Sequence, residues 1–304
     1  MNIGTIRDGA ALLPALIDGD RAYPLDDVLG AMGGVPVAMP DGADAAAVLA
    51  IRELAVAARS ASEALPGLVA RGAAPSYPLY ALGPPVPRPG KIVCAGRNYA
   101  EHARELGEDA PSHPILFAKL ASSIRGPFDD IVRPLEVADL DYEAELCVVV
   151  GTGGRRIPRD RALAHVAGYT CANDISARAA QFEPGDQWLR GKSFDTFCPI
   201  GPWIVSADVI PDPQALTLRC RVDGILRQNG STADMIFDVA ALISYISDAF
   251  TLEPGDLILT GTPAGVAMGQ TPPPWLQPGQ LCEVEIPEIG VIANRIVAEV
   301  TAGY

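Results

Sequence analysis

The sequence predicts a strand-rich α+β protein, on three observations. Its 304 residues include 30 glycines and 28 prolines, more turn-formers than a helical bundle tolerates. Period-two alternation is clear in two places. Leu216, Leu218, Cys220 and Val222 alternate with Thr217, Arg219 and Arg221, and Cys282, Val284 and Ile286 alternate with Glu283 and Glu285. Helical patterns are confined to a few segments. With 49% hydrophobic and 20% charged residues, the chain has enough apolar surface to fold, at about two domains' worth of length.

Residues 11–17 and 22–25 read as short strands, 33–42 as a turn-rich patch, and 45–65 as an Ala-rich helix with Asp44 as N-cap. Residues 83–90 then place four prolines among eight positions, a stiff extended connector. This sets a boundary between a small N-terminal α+β domain, 1–85, and a second domain, 90–304. Within the latter, Asp223-Gly224 closes a two-residue hairpin. A helix is expected over 239–250 with Asp238 as N-cap, followed by the turn Glu253-Pro254-Gly255-Asp256 and a strand over 257–260.

A net charge of −14 disfavours nucleic acid and anionic membranes as partners. No run approaches the roughly 18 apolar residues of a membrane span, and the start lacks a secretory pattern, so a cytoplasmic protein is expected. The six cysteines are scattered without a C-x-x-C pair and read as buried free thiols. Three histidines are too few for a His-rich zinc site.

The run Asp141-Tyr142-Glu143-Ala144-Glu145-Leu146 carries the first chemical signal. On a strand, Glu143 and Glu145 share a face about 6.5 Å apart and repel unless a cation sits between them. That cation is a Lys, an Arg or a hard ion such as Mg²⁺, Mn²⁺ or Ca²⁺; the other reading is a solvated strand face like that of Glu283 and Glu285. Asp174 follows an apolar stretch and suits either a site or a helix cap. Lys192, among Trp188, Leu189 and Phe194, needs an anionic partner if buried. Gly191-Lys192-Ser193 has the wrong spacing from Gly185 for a phosphate-binding loop, and the sequence after Gly151 breaks the G-x-G-x-x-G pattern. If 96–105 opens a helix, His102 and Glu105 are i,i+3 neighbours, either a water-activating pair or a solvated surface pair.

Six motifs fall in order: Gly96-Arg97-Asn98-Tyr99 with His102 and Glu105; Ile115-Leu116-Phe117-Ala118-Lys119; Asp141 to Leu146; Asn173-Asp174-Ile175-Ser176-Ala177-Arg178; Gly191-Lys192-Ser193-Phe194-Asp195; and Leu259-Thr260-Gly261-Thr262-Pro263. Over about residues 90–300 the chain resembles the fumarylacetoacetate hydrolase family. The resemblance implies a mixed-sheet β-roll catalytic domain, a homodimer, and a divalent ion, Mg²⁺ first, held by Glu143, Glu145 and Asp174. It implies that His102 and Glu105 activate water, that Lys192 assists, and that Arg97, Tyr99, Lys119, Arg178, Gln181 and Thr262 contact a small 2-oxo acid substrate. Ala179 stands where an acidic residue is usual, which leaves the partner of Arg178 open; Leu120 and Ala267 also depart from the usual pattern, where proline and glycine are common. The segment 271–278 has no assigned role.

The implied reaction is hydrolysis of a carbon–carbon bond in a 2,4-diketo acid such as an acylpyruvate, through an enolate stabilised at the metal. The alternatives are isomerisation, tautomerisation or decarboxylation of a related 2-oxo acid such as oxaloacetate, or a non-catalytic member that keeps the fold.

Overall fold

A computed structural model describes residues 1–9, 11–33, 43–183 and 185–300. Apart from Gly33, the turn-rich patch 33–42 lies outside them. The expected α+β, strand-rich architecture is present as a mixed-sheet fold. A twelve-stranded sheet runs through its centre, with strands Asn2–Asp8, Cys198–Ser206, Val166–Asn173, Ala144–Val150, Leu257–Leu259 and Ile92–Gly96 side by side in that order. Most neighbours are antiparallel, while Leu257–Leu259 pairs with Ile92–Gly96 in parallel. A five-stranded sheet, including Thr217–Val222, Ile225–Ser231, Leu281–Ile286 and Gly290–Ala298, lies beside one face.

The strand Ala144–Val150 shows why the centre is double-faced. Leu146, Val148 and Val150 join a core with Leu218, Val284 and Leu242, from the second sheet and the helix Val239–Ala249. Cys147 and Val149, on the opposite face, join a core with Ile3, Leu54 and Leu65 beneath the N-terminal helices. A strand buried on both faces has no solvated side, so a charged group on it must find its partner inside the protein.

Local signals act as expected at several points. Asp223 and Gly224 both have positive φ, 49° and 77°, and Val222 pairs with Ile225, as a two-residue primed turn requires. Asp44 and Asp238 cap their helices, accepting from Ala47 N at 2.9 Å and Ala241 N at 2.7 Å. The helix expected over 45–65 is instead two, Ala45–Ala50 and Arg52–Ala70, broken at Ile51 (ψ 115°). The apolar stripe Leu54, Ala58, Ala61, Leu65 and Leu68 is out of phase with Val48, so a bend is needed to turn it onto the sheet.

The connector is pinned rather than free: Gly83 pairs with Thr5, and Val86 is buried. Because Asn2 and Ile3 pair with Val205 and Ile204, the strand Asn2–Asp8 extends the sheet of the following segment, and Ile3, Leu54 and Leu65 share its core. All six cysteines are buried and unbonded. Trp275 packs against the main core, and Leu276 is buried with its N–H on Leu140 O, so segment 271–278 is fastened to the body. No helix among the described residues is long and apolar enough to cross a membrane.

Candidate active site

Glu143, Glu145 and Asp174 converge because of strand register. Ala144 lies opposite Asn173, and Asp174 N donates to Glu143 O, which places Asp174 beside the two glutamates. One carboxylate oxygen from each of the three lies within 4.8 Å of the others, and all three side chains are buried.

Three cations enter this cage. Lys192 Nζ lies 2.7 Å from Glu143 Oε2 and 2.9 Å from Asp174 Oδ2. Lys119 Nζ lies 2.6 Å from Asp174 Oδ1, and Arg178 lies 2.6 Å from Glu143 Oε1. Glu145 differs: it accepts the Gly261 N–H at 2.7 Å and has no cation in ion-pair range among the described residues. The electrostatics follow. Burial opposes ionisation of Glu143, but Lys192, Arg178 and His102 hold its carboxyl down to about 2. Burial, and then Asp174 and Glu143, push Glu145 well above the ordinary carboxylate range. Burial alone would lower the Lys192 pKa; Asp174 and Glu143 outweigh it and raise it above that of a free lysine.

A divalent cation fits these residues. The donors are all hard oxygens, they converge, and one of them is a buried carboxylate without a positive partner. This is the chemistry expected of Mg²⁺, Mn²⁺ or Ca²⁺ rather than zinc.

Beside the cage, the short helix Ala100–Glu105 presents His102, 5% exposed, with Nδ1 3.3 Å from Glu105 Oε2. Burial excludes the solvated surface pair. Gly265 N donates to both Glu105 oxygens, at 3.0 and 3.1 Å. His102, Glu143, Glu145, Lys192, Arg178, Gln181 and Thr262 all line one cleft, together with Arg97, Phe117, Phe182, Trp188, Leu106 and Met268. Arg97, with φ 53°, stacks 5.8 Å from the Trp188 ring and pairs with Glu108 at 3.2 Å. Gly96 must be glycine here, since a Cβ would lie 2.7 Å from Trp188.

Two residues expected to contact substrate lie elsewhere. Lys119 is drawn onto Asp174 and the Ile175 carbonyl, and Tyr99 is 1% exposed with no hydrogen-bond partner for its hydroxyl among the described residues; neither lines the cleft. A buried ammonium goes to the nearest buried carboxylate because leaving either unpaired is costly. Thr262 lines the cleft, yet its hydroxyl already donates to Ala144 O and accepts from Gln228. Arg178, whose partner the sequence left open, is claimed by Asp141, Glu143 and Gln181. Sequence reading missed Asp141 as a site residue; its only signal is a third acidic residue at the same two-residue spacing before Glu143.

Residues 91–297 match the family described as Fumarylacetoacetate (FAA) hydrolase C-terminal. Oxaloacetate tautomerase FAHD2B, mitochondrial, of Bos taurus is 50% identical over 214 residues, 70% of this chain and 68% of that protein. Among solved structures, fumarylacetoacetate hydrolase from Exiguobacterium antarcticum aligns with a TM-score of 0.76 at 33% identity, over 98% of this chain and 100% of that one. Maleylpyruvate hydrolase from Sphingobium sp. SYK-6, in complex with manganese(II) and pyruvate, aligns at 0.77 and 28% identity, over 99% and 100%. These relatives are tautomerases and hydrolases built on one fold, and this chain belongs to the fumarylacetoacetate hydrolase family.

Proposed function

We propose that the protein is a divalent-metal-dependent enzyme that interconverts the keto and enol forms of a small 2-oxo acid of the oxaloacetate type. The observation that carries this reading is a single cleft lined by Glu143 and Glu145 of the carboxylate cage together with His102, which is backed by Glu105. The 50% identity to a protein named as an oxaloacetate tautomerase supports the substrate class.

Glu105 receives the Nδ1–H of His102, which assigns the lone pair to Nε2 and makes that nitrogen the group that exchanges a proton with substrate. In the keto-to-enol direction Nε2 takes a C3 proton, the C–H electron pair moves into a C2–C3 double bond, and the carbonyl π pair moves onto the 2-oxo oxygen, which takes up a proton from solvent as His102 returns its own to solvent. The reverse sequence returns the keto form. An ion held by Glu143, Glu145 and Asp174, for which we propose Mg²⁺, would supply the Lewis acidity that favours negative charge on the 2-oxo oxygen. The apolar wall of Phe117, Phe182 and Trp188 limits water in the cleft and strengthens the charge interactions within it.

Hydrolysis of an acylpyruvate is the second reading, and the Glu105 carboxylate behind His102 favours it. Such a pair is suited to taking a proton from water as the water oxygen bonds to the distal carbonyl carbon. The C3–C4 electron pair would then leave on C3 as the enolate of pyruvate. One assay separates the readings. Enol oxaloacetate is followed by ultraviolet absorbance, and pyruvate release is measured from oxaloacetate and from a panel of acylpyruvates, each with Mg²⁺ or Mn²⁺ and then with chelator. Chelator-sensitive ketonisation without pyruvate release supports the tautomerase. Pyruvate from an acylpyruvate replaces it with the hydrolase, pyruvate from oxaloacetate alone indicates decarboxylation, and no conversion of any substrate refutes an enzymatic role on this substrate class.

A further inference from the structure

Asp141 stands outside every role assigned above, yet it is the most heavily hydrogen-bonded carboxylate beside the cleft. Its side chain is fully buried. Oδ1 accepts from Tyr142 N at 2.9 Å and Ala267 N at 2.7 Å; Oδ2 accepts from Arg178 Nε at 2.9 Å and Met268 N at 3.2 Å, with the Arg178 terminal nitrogen at 2.8 Å.

These bonds run in two directions. Through Arg178 they reach Glu143 Oε1 at 2.6 Å, so the guanidinium that orients one cage carboxylate is itself oriented by Asp141. Through Ala267 and Met268 they fix the loop 265–269, which grips Glu105 from two sides. Gly265 N donates to both of its oxygens, and at Gly269 a Cβ would stand 2.3 Å from the Glu105 side chain. The loop therefore sets where the Glu105 carboxylate lies, and with it the His102 ring.

We infer that Asp141 is a positioning residue that couples the carboxylate cage to the His102–Glu105 pair, holding both in register across the cleft. This rests on the reading of that pair as the proton-transfer group. A buried carboxylate that satisfies a guanidinium and three backbone N–H groups loses part of that set in any neutral replacement, because an amide turns a donor toward one of those donors.

The test compares wild type with Asp141→Asn for thermal midpoint, Mn²⁺ affinity by titration, and kcat and KM on the 2-oxo acid that wild type converts best. The expected result is a folded protein with Mn²⁺ affinity about 10- to 100-fold weaker. At saturating Mn²⁺, kcat should still be at least about 10-fold lower, with KM changed less than kcat. Wild-type Mn²⁺ affinity, wild-type kcat, or losses that only follow the unfolded fraction would each overturn the inference.

If Asp141→Asn fails to fold, Ala267→Pro removes one loop tether and leaves Asp141 and Arg178 in place. Val266, at φ −60° and ψ 155°, already has the backbone that precedes a proline. That variant should lose kcat and keep Mn²⁺ affinity; unchanged kcat overturns the coupling. The Mn²⁺ titration reads the arm to Glu143 without turnover. A failure of the proposed reaction therefore shows as wild type converting no 2-oxo acid, whereas a failure of the Asp141 inference shows as unaltered Mn²⁺ binding in Asp141→Asn.

Discussion

Two segments of this molecule carry glutamates two residues apart, and physics has made opposite things of them. Glu283 and Glu285 lie on Leu281–Ile286, whose alternate residues are buried and half-buried, and they face Arg221 and Arg219 across the strand pair. Glu143 and Glu145 lead into Ala144–Val150, buried on both faces, where Asp174 adds a third carboxylate. In the first pair, Glu285 is answered locally by Arg219, which water also reaches, and Glu283 lies opposite Arg221. In the second, Lys119, Lys192 and Arg178 satisfy Glu143 and Asp174 and leave Glu145 without a cation. Equal spacing therefore does not make equal chemistry. What separates the two is whether a neighbouring strand brings in a further anion and whether water is excluded.

The sharpest way to break this contrast is to remove one glutamate from each pair. Glu143→Ala should abolish measurable Mn²⁺ binding and turnover, while Glu283→Ala should bind Mn²⁺ within about twofold of wild type, since ligand geometry rather than net charge sets affinity. Equal binding by both variants would sink the cage. Next in size, His102→Ala should lower kcat by about 10²- to 10⁴-fold and leave Mn²⁺ affinity nearly intact, because in the proposed reaction His102 acts on substrate and is not among the ion's ligands. Full activity in that variant would remove the proton-transfer role.

The contrast also marks what a sequence can carry. Glu143, Glu145, Asp174, Lys192, His102 and Glu105 were each legible, because local chemistry makes them conspicuous: paired acids entering an apolar run, a lysine among aromatics, a histidine one helical turn from a glutamate. The capped helices and the Asp223-Gly224 hairpin were legible for the same local reason. The destinations of Lys119 and Arg178 were not, since each cation is claimed by whichever buried carboxylate the fold brings closest. Asp141 showed only its spacing, because its loop partners, Ala267 and Met268, lie more than a hundred positions away, and the break at Ile51 was silent because it answers to the sheet beneath.

A subtler difference lies inside the cage. With Glu145 pushed up by burial and by Asp174 and Glu143, and Glu143 held down to about 2, a proton entering the metal-free cage favours Glu145 over Glu143. An ion that binds there favours the ionised carboxylate, so calorimetric titration in buffers of differing ionisation heat should report proton release on binding that is reduced in Glu145→Gln. The two groups also have opposite linkage. The folded value of Glu143 lies below its ordinary 4.5, so its contribution to metal-free stability is present above about pH 4.5 and fades as pH falls toward 2. Glu145 is shifted up, so its contribution is complete below its ordinary value and fades as pH rises through the elevated one.

The smallest expected effect belongs to the other pair. Arg219 lies 3.4 Å from Glu285, with side chains 34% and 29% exposed, so water and salt screen the attraction. Glu285→Gln should cost at most about 1 kcal/mol, less at high ionic strength, with activity and Mn²⁺ affinity unaltered. Urea denaturation at low and at high salt measures this directly. A loss of several kcal/mol, or one insensitive to salt, would mean that this face is as enclosed as the cage, and the distinction between a solvated and a buried pair at the same spacing would then fail.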